Sequence, residues 1–182
     1  MLPFHAILTD RLELRRFSRN DLSAFQEYRR DPELSKYQGW EPTADEDALA
    51  FLIEQSDQIL GPDGQWLQIA VTCIKSKRLI GDFGLCVRDS RRGIAEMGFT
   101  ISRTIQRQGY ATEAAAAILV ALFGTNMIYL VTATTDERNR ASISLLLRLG
   151  FELAKTQTAV FRGELCTEHT FEVSATQWYQ LR

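Results

Sequence analysis

The stretch Ser102–Gly124, SRTIQRQGYATEAAAAILVALFG, decides how the rest of this chain is read. Its second half, Tyr110 to Phe123, is a helix-favouring run rich in alanine, and Gly124 stands where a C-terminal cap is expected. Gly109 sits where that helix begins. Glycine inside a helix costs about 1 kcal/mol against alanine, so a glycine here implies a need for bare backbone. The first turn of a helix leaves backbone N–H groups unpaired, and with the helix dipole they form a site for an anion. Arg103 and Arg107 add positive charge beside it, while Glu113 is set back in the helix. The competing reading is a tight strand-to-helix turn with no ligand.

Outward from this stretch the pattern is regular. Three strand-like runs come before it: WLQIAVTCI from Trp66, LIGDFGLCV from Leu79 and IAEMGFTI from Ile94. Their connections are short, which implies antiparallel neighbours. After the helix, MIYLVTAT (Met127 to Thr134) reads as a strand, and a right-handed crossover lays it parallel to IAEMGFTI. Asn139 caps a further helix, RASISLLLRL, which Gly150 stops, and two more strands are expected over Glu152–Phe161 and His169–Ser174. Towards the N-terminus, RLELRRF (Arg11 to Phe17) alternates as a strand does. SRND at Ser18 opens a helix that Asp31-Pro32 ends, and TADE at Thr43 carries a capping-box pattern for a helix reaching about Leu60. No repeat, linker or boundary interrupts the order. The expectation is an α/β fold in a single domain, 1–182, around one mixed, mostly antiparallel sheet of about seven strands with about four helices.

Composition narrows the function classes. The chain has 182 residues, a formal net charge of −2, 45% apolar and 24% charged residues, an ordinary globular balance without the basic footprint of a nucleic-acid binder. Cys73, Cys86 and Cys166 are scattered, and His5 and His169 lie far apart, so no metal-ligand spacing is present. Unpaired thiols fit a reducing compartment, the N-terminal segment meets charge by Asp10, and no apolar run approaches the roughly 18 residues of a membrane span. The expected location is the cytoplasm.

On strand IAEMGFTI, Ala95, Met97, Phe99 and Ile101 share one face and Glu96, Gly98 and Thr100 the other. A carboxylate on a central strand is costly to bury, which singles out Glu96 as a candidate base acting through water. Its bland alternative is an ion pair, with Arg92 or Arg140 as partner. Tyr37 and Trp40 either line a pocket or pack the loop between the first two helices.

The choice of anion follows from what the loop lacks. It has no Walker lysine and second glycine, and only one of the three glycines of a dinucleotide fingerprint. What remains is QRQGYA, Gln106 to Ala111, of the form Q-x-x-G-x-A. This is similar to the pyrophosphate-binding loop of GNAT-family acyltransferases. RLELRRFSRNDLSAF, AEMGFTIS, QGYATEA, NRASISLLLRLGFE and HTFEVSATQWY follow in family order. Together they resemble the RimJ/RimL-type branch, the ribosomal-protein N-terminal acetyltransferases and their small-molecule relatives, over nearly the whole chain.

The resemblance implies the GNAT fold with two splayed parallel central strands, and acetyl-CoA as acyl-donor cosubstrate with no metal. It assigns the cofactor to Gln106, Arg107, Gln108, Gly109, Tyr110, Ala111 and Thr112, to backbone groups of Phe99, Thr100 and Ile101 in the splay, and to the Asn139 amide. It offers Ser142 as the acid that protonates the departing thiolate. The implied reaction is direct acetyl transfer to a primary amine, either a protein N-terminus or a small molecule, by a monomer or homodimer. The alternative is a non-catalytic acyl-CoA-binding or regulatory module on the same fold.

Overall fold

The structure is a computed structural model that describes residues 4–181. Its frame is one eight-stranded sheet. The strands are β1 (Ile7–Leu8), β2 (Leu12–Arg15), β3 (Trp66–Cys73), β4 (Leu79–Asp89), β5 (Ile94–Ile101), β6 (Leu130–Asp136), β7 (Glu152–Phe161) and β8 (Glu164–Ser174). They lie in the order β1-β2-β3-β4-β5-β6-β8-β7. All neighbours are antiparallel except β5 and β6. The helices are α1 (Leu22–Arg29), α2 (Pro32–Ser35), α3 (Asp45–Asp57), α4 (Tyr110–Gly124), α5 (Arg140–Arg148) and α6 (Ala175–Gln180). The expected single parallel pair is present, joined through α4.

Alternation along the strands sorts the core into two layers. On β3, Ala70 packs with Phe17, Phe25, Tyr28 and Leu52, the layer built by α1 and α3. Its neighbours Ile69 and Val71 point the other way, into a cluster with Ala114, Ala115, Ile118 and Leu119 of α4, Leu145 and Leu146 of α5, and Trp178 of α6. Ala114 and Ala115 are fully buried, so the alanine run is what lets α4 lie close on the sheet. A buried ion pair ties the first layer down. Asp82 of β4 accepts from the Tyr28 hydroxyl and from Arg29, whose guanidinium lies 3.0 Å away.

Several local expectations are corrected. The eighth strand, β1, is too short to carry a period that sequence could reveal. TADE does not cap through Thr43: α3 begins at Asp45 behind Ala44, with Asp45, Glu46 and Asp47 answering the dipole, and it ends at Asp57 rather than Leu60. Pro32 does not merely end α1; it opens α2 under the side-chain cap of Asp31. Gly124 is the last helical residue, with Thr125 as the cap and Asn126 taking the left-handed conformation. β6 begins at Leu130 rather than Met127 and runs to Asp136. β8 begins five residues before His169, because Arg162 and Gly163 both take positive φ and make a tight hairpin with β7. Of the two strand cysteines Cys86 is buried and Cys73 is half-buried.

Candidate active site

The parallel pairing of β5 with β6 ends at Glu96↔Thr132, yet both strands run on, to Ile101 and Asp136. Each stays anchored on its outer edge: β5 pairs β4 as far as Gly81↔Ile101, and β6 pairs β8 as far as Asp136↔Glu168. The inner edges therefore part while the outer ones hold. Backbone groups that would close a sheet are left facing a gap. Two side chains reach the carbonyls there: the Gln38 amide donates to the Phe99 carbonyl at 3.3 Å, and the Gln106 amide to that of Ile101 at 2.9 Å.

A cleft of about 730 Å³ opens at this gap. That is within the range of pockets that enclose a small ligand. Leu34, Tyr37 and Gln38 form one wall, and Phe99, Thr100 and Ile101 of β5 the floor. The loop with Gln106, Arg107 and Gly109 joins the start of α4, Tyr110 to Thr112, at one end, and α5 from Asn139 to Arg148 closes the far side.

The loop before α4 has the geometry of an anion cradle. Gly109 sits at φ 83°, ψ −2°, and Arg107 at φ 63°. Backbone of alternating hand turns successive N–H groups to one side, where they can surround an anion. Gly109 is thus needed for its conformation as well as for its bareness. The cleft carries positive charge from Arg107, Arg140 and Arg148, while Arg103 is paired with Asp31 at 2.9 Å and Glu33 adds one negative charge to the lining. Arg140, Ser144 and Arg148 stand four residues apart on α5 and all line the cleft, a stripe that sequence reading overlooked although its spacing was visible. Asn139 caps α5 by accepting from the Ser142 N–H at 3.2 Å.

Most of the expected residues converge: Tyr37, Phe99, Thr100, Ile101, Gln106, Arg107, Gly109, Tyr110, Ala111, Thr112, Asn139 and Ser142 all line this cleft. Three stand outside its lining. Gln108 turns its carbonyl away, to Arg11 at 2.9 Å. Trp40 stacks on the Arg29 guanidinium, 4.1 Å from the ring centre, while its carbonyl accepts from Arg162 at 2.7 Å. Glu96 lies at the apex, on the last position of β5 that pairs with β6, and its Oε2 accepts from Arg88 Nε at 2.6 Å. The pairing partner is Arg88, not Arg92 or Arg140. Arg88 is the unpaired residue of a bulge in β4, between Val87 and Asp89 and just beyond Cys86, which is registered opposite Glu96; from there its side chain reaches the carboxylate. Beyond the expectation, Leu34, Gln38, Arg140, Ser144 and Arg148 also belong to the cleft. Among the described residues no group of His, Cys, Asp and Glu is placed to hold a metal ion, and no helix is long and apolar enough to cross a membrane.

A family model described as the acetyltransferase (GNAT) domain matches residues 11–152, which holds every element around the cleft from β2 to α5. The chain belongs to the GNAT acetyltransferase family. As a GNAT protein it is an acyltransferase. It is 27% identical over 146 residues to the uncharacterized N-acetyltransferase p20 of Bacillus licheniformis, covering 80% of this chain and 82% of the relative. Its fold is similar to a GNAT-family acetyltransferase from Bacillus anthracis, with a TM-score of 0.81, 22% identity and coverage of 93% and 98% of the two chains. RimL, the ribosomal L7/L12 alpha-N-protein acetyltransferase, solved in complex with coenzyme A, is another structural neighbour (TM-score 0.81, 16% identity, 93% and 98% covered). Both likenesses to solved structures are likenesses of fold.

Proposed function

We propose that this GNAT protein transfers the acetyl group of acetyl-CoA to a primary amine, a protein N-terminal α-amine or a small-molecule amine, by direct attack in a ternary complex. The observation that carries the reading is the continuity of the cleft. It runs from an N–H cradle at Gly109, suited to a pyrophosphate, into the gap between β5 and β6, suited to an amide-bearing arm. The coenzyme A bound to RimL supports the same donor.

In this reading the diphosphate rests on the loop and first turn of α4, with Arg107 beside it. The pantetheine arm runs along Phe99, Thr100 and Ile101 and meets the Asn139 side chain. A backbone N–H of β5 polarises the thioester oxygen as negative charge develops on it. The neutral amine attacks the carbonyl carbon, the C–S bond breaks, and the thiolate takes a proton from Ser142, which lines the cleft and is reprotonated from solvent as Glu96 returns the amine's proton to solvent. Glu96 accepts the proton lost by the amine through water. Arg88 holds its Oε2, which leaves Oε1 to address that water. The thioester is already activated, so the gain comes chiefly from positioning.

An α-amine with pKa near 8 needs about 1 kcal/mol to become neutral at pH 7, and a lysine-type amine roughly 4 or 5. One water-linked carboxylate suits the former. The test is thiol release from acetyl-CoA across a panel of N-terminal peptides and small amines. Acetylation of an α-amine substrate in preference to lysine side chains is expected. Coenzyme binding without acetylation of any amine would instead support the non-catalytic module.

A further inference from the structure

Arg11 lies on the turn between β1 and β2, far from the loop in sequence and outside the lining of the cleft. Yet it touches three residues of the loop and the start of α4: Gln108, Tyr110 and Glu113. Its Nη1 donates to the Gln108 carbonyl at 2.9 Å, and its Nε to Glu113 Oε2 at 2.6 Å. Its guanidinium carbon stands 4.5 Å from the centre of the Tyr110 ring. A Cβ placed on Gly109 would come within 3.3 Å of its Nη2. The backbone N–H of Arg11 donates to the other Glu113 oxygen at 3.0 Å, and the Thr9 hydroxyl donates to that same oxygen.

We propose that Arg11 is a positioning residue for the acyl donor: it holds the loop 106–109 and the first turn of α4 in the shape that receives the diphosphate. The inference rests on the acetyl-CoA reading above. Two independent physical needs meet in this one side chain. For N–H groups to face an anion, the intervening carbonyl must point away and still be satisfied, and the fork of Arg11 satisfies that of Gln108. Glu113 is a negative charge in the first turn of α4, where it favours the helix dipole but opposes a second anion at the same helix end. Arg11 neutralises it. Burial alone would raise the Glu113 carboxyl, but the Thr9 hydroxyl and the two Arg11 donors outweigh burial and hold it below the usual carboxylate range. The stack on Tyr110 fixes a ring that itself lines the cleft.

The test compares two donors on wild type, Arg11→Ala and Arg11→Lys: acetyl-CoA by calorimetry, and S-acetylpantetheine, which lacks the diphosphate, by NMR titration. Arg11→Ala is expected to weaken acetyl-CoA at least ten-fold and leave S-acetylpantetheine within two-fold. Arg11→Lys keeps the charge against Glu113 but not the fork, and is expected to fall between, again for acetyl-CoA alone. Lysine also provides the comparison should the alanine variant not fold. Equal losses for both donors, or no loss for either, would overturn the role of Arg11 while leaving the acetyl-CoA reading intact. A folded wild type that binds neither donor would overturn both.

Discussion

Gly109 answers to conformation and to access at once. At φ 83° any residue with a Cβ is strained by about 1–2 kcal/mol, and here the added carbon would also press on Arg11. Gly109→Ala is therefore expected to lower the melting temperature modestly and to weaken acetyl-CoA binding by ten-fold or more. A variant with the Tm shift but unchanged affinity would mean that this glycine only turns the chain. Glu96 is a sharper case, because its neighbour Arg88 gives it a sufficient structural reason to exist. Glu96→Gln is expected to cut turnover at neutral pH by more than ten-fold while sparing acetyl-CoA affinity, with part of the rate recovered as pH rises and the amine loses its own proton. An unchanged rate would leave Glu96 as an ion-pair partner only.

At the scale of elements, local chemistry was readable and long-range meetings were not. The segment from Gln106 to Thr112 announced its place because the feature that matters there, a glycine ahead of a helix, lies within one turn of chain. Asn139 announced α5 for the same reason. Arg88 could not be chosen over Arg92 as the partner of Glu96, because the choice depends on the β4–β5 register, Cys86↔Glu96. Gln38 and Leu34 were hidden in a loop and a four-residue helix whose place over the gap is set by tertiary contacts. The early start of β8 was missed because its hairpin turn places an arginine, Arg162, in a conformation that favours glycine or asparagine. One long-range tie at this scale has a large expected cost. Arg29 and Asp82 are almost wholly buried, and Arg29 also carries Trp40. Arg29→Ala leaves the Asp82 charge unpaired and is expected to cost about 3–5 kcal/mol, read as a fall in the urea midpoint. A loss under 1 kcal/mol would mean that the Tyr28 hydroxyl alone suffices for Asp82.

For the whole molecule, charge pairs set the acid limit. Arg138 holds the Asp136 carboxyl below its ordinary range. Burial would raise Asp21, but Arg15 and the Ser18 backbone outweigh it and bring it down. Glu113 is lowered by Thr9 and Arg11 against its burial. A carboxyl depressed by folding contributes its full stability above its unfolded pKa, about 4, and loses it as pH falls through the folded value. Urea midpoints should hold steady from pH 7 to 5 and decline below pH 4, and Asp21→Asn should flatten that decline. A wild-type midpoint that does not change between pH 5 and 3 would contradict the assignment. The same frame that these pairs stabilise presents one long cleft, with the loop at Gly109 at one end and the gap between two strands at the other. The measurement that tests this most directly is calorimetric titration of the wild-type protein with acetyl-CoA beside S-acetylpantetheine. Saturable one-to-one binding of acetyl-CoA, at least ten-fold tighter than the fragment, is the predicted result. Absence of acetyl-CoA binding by the folded protein, or equal affinity for the two, would contradict a diphosphate site at Gly109.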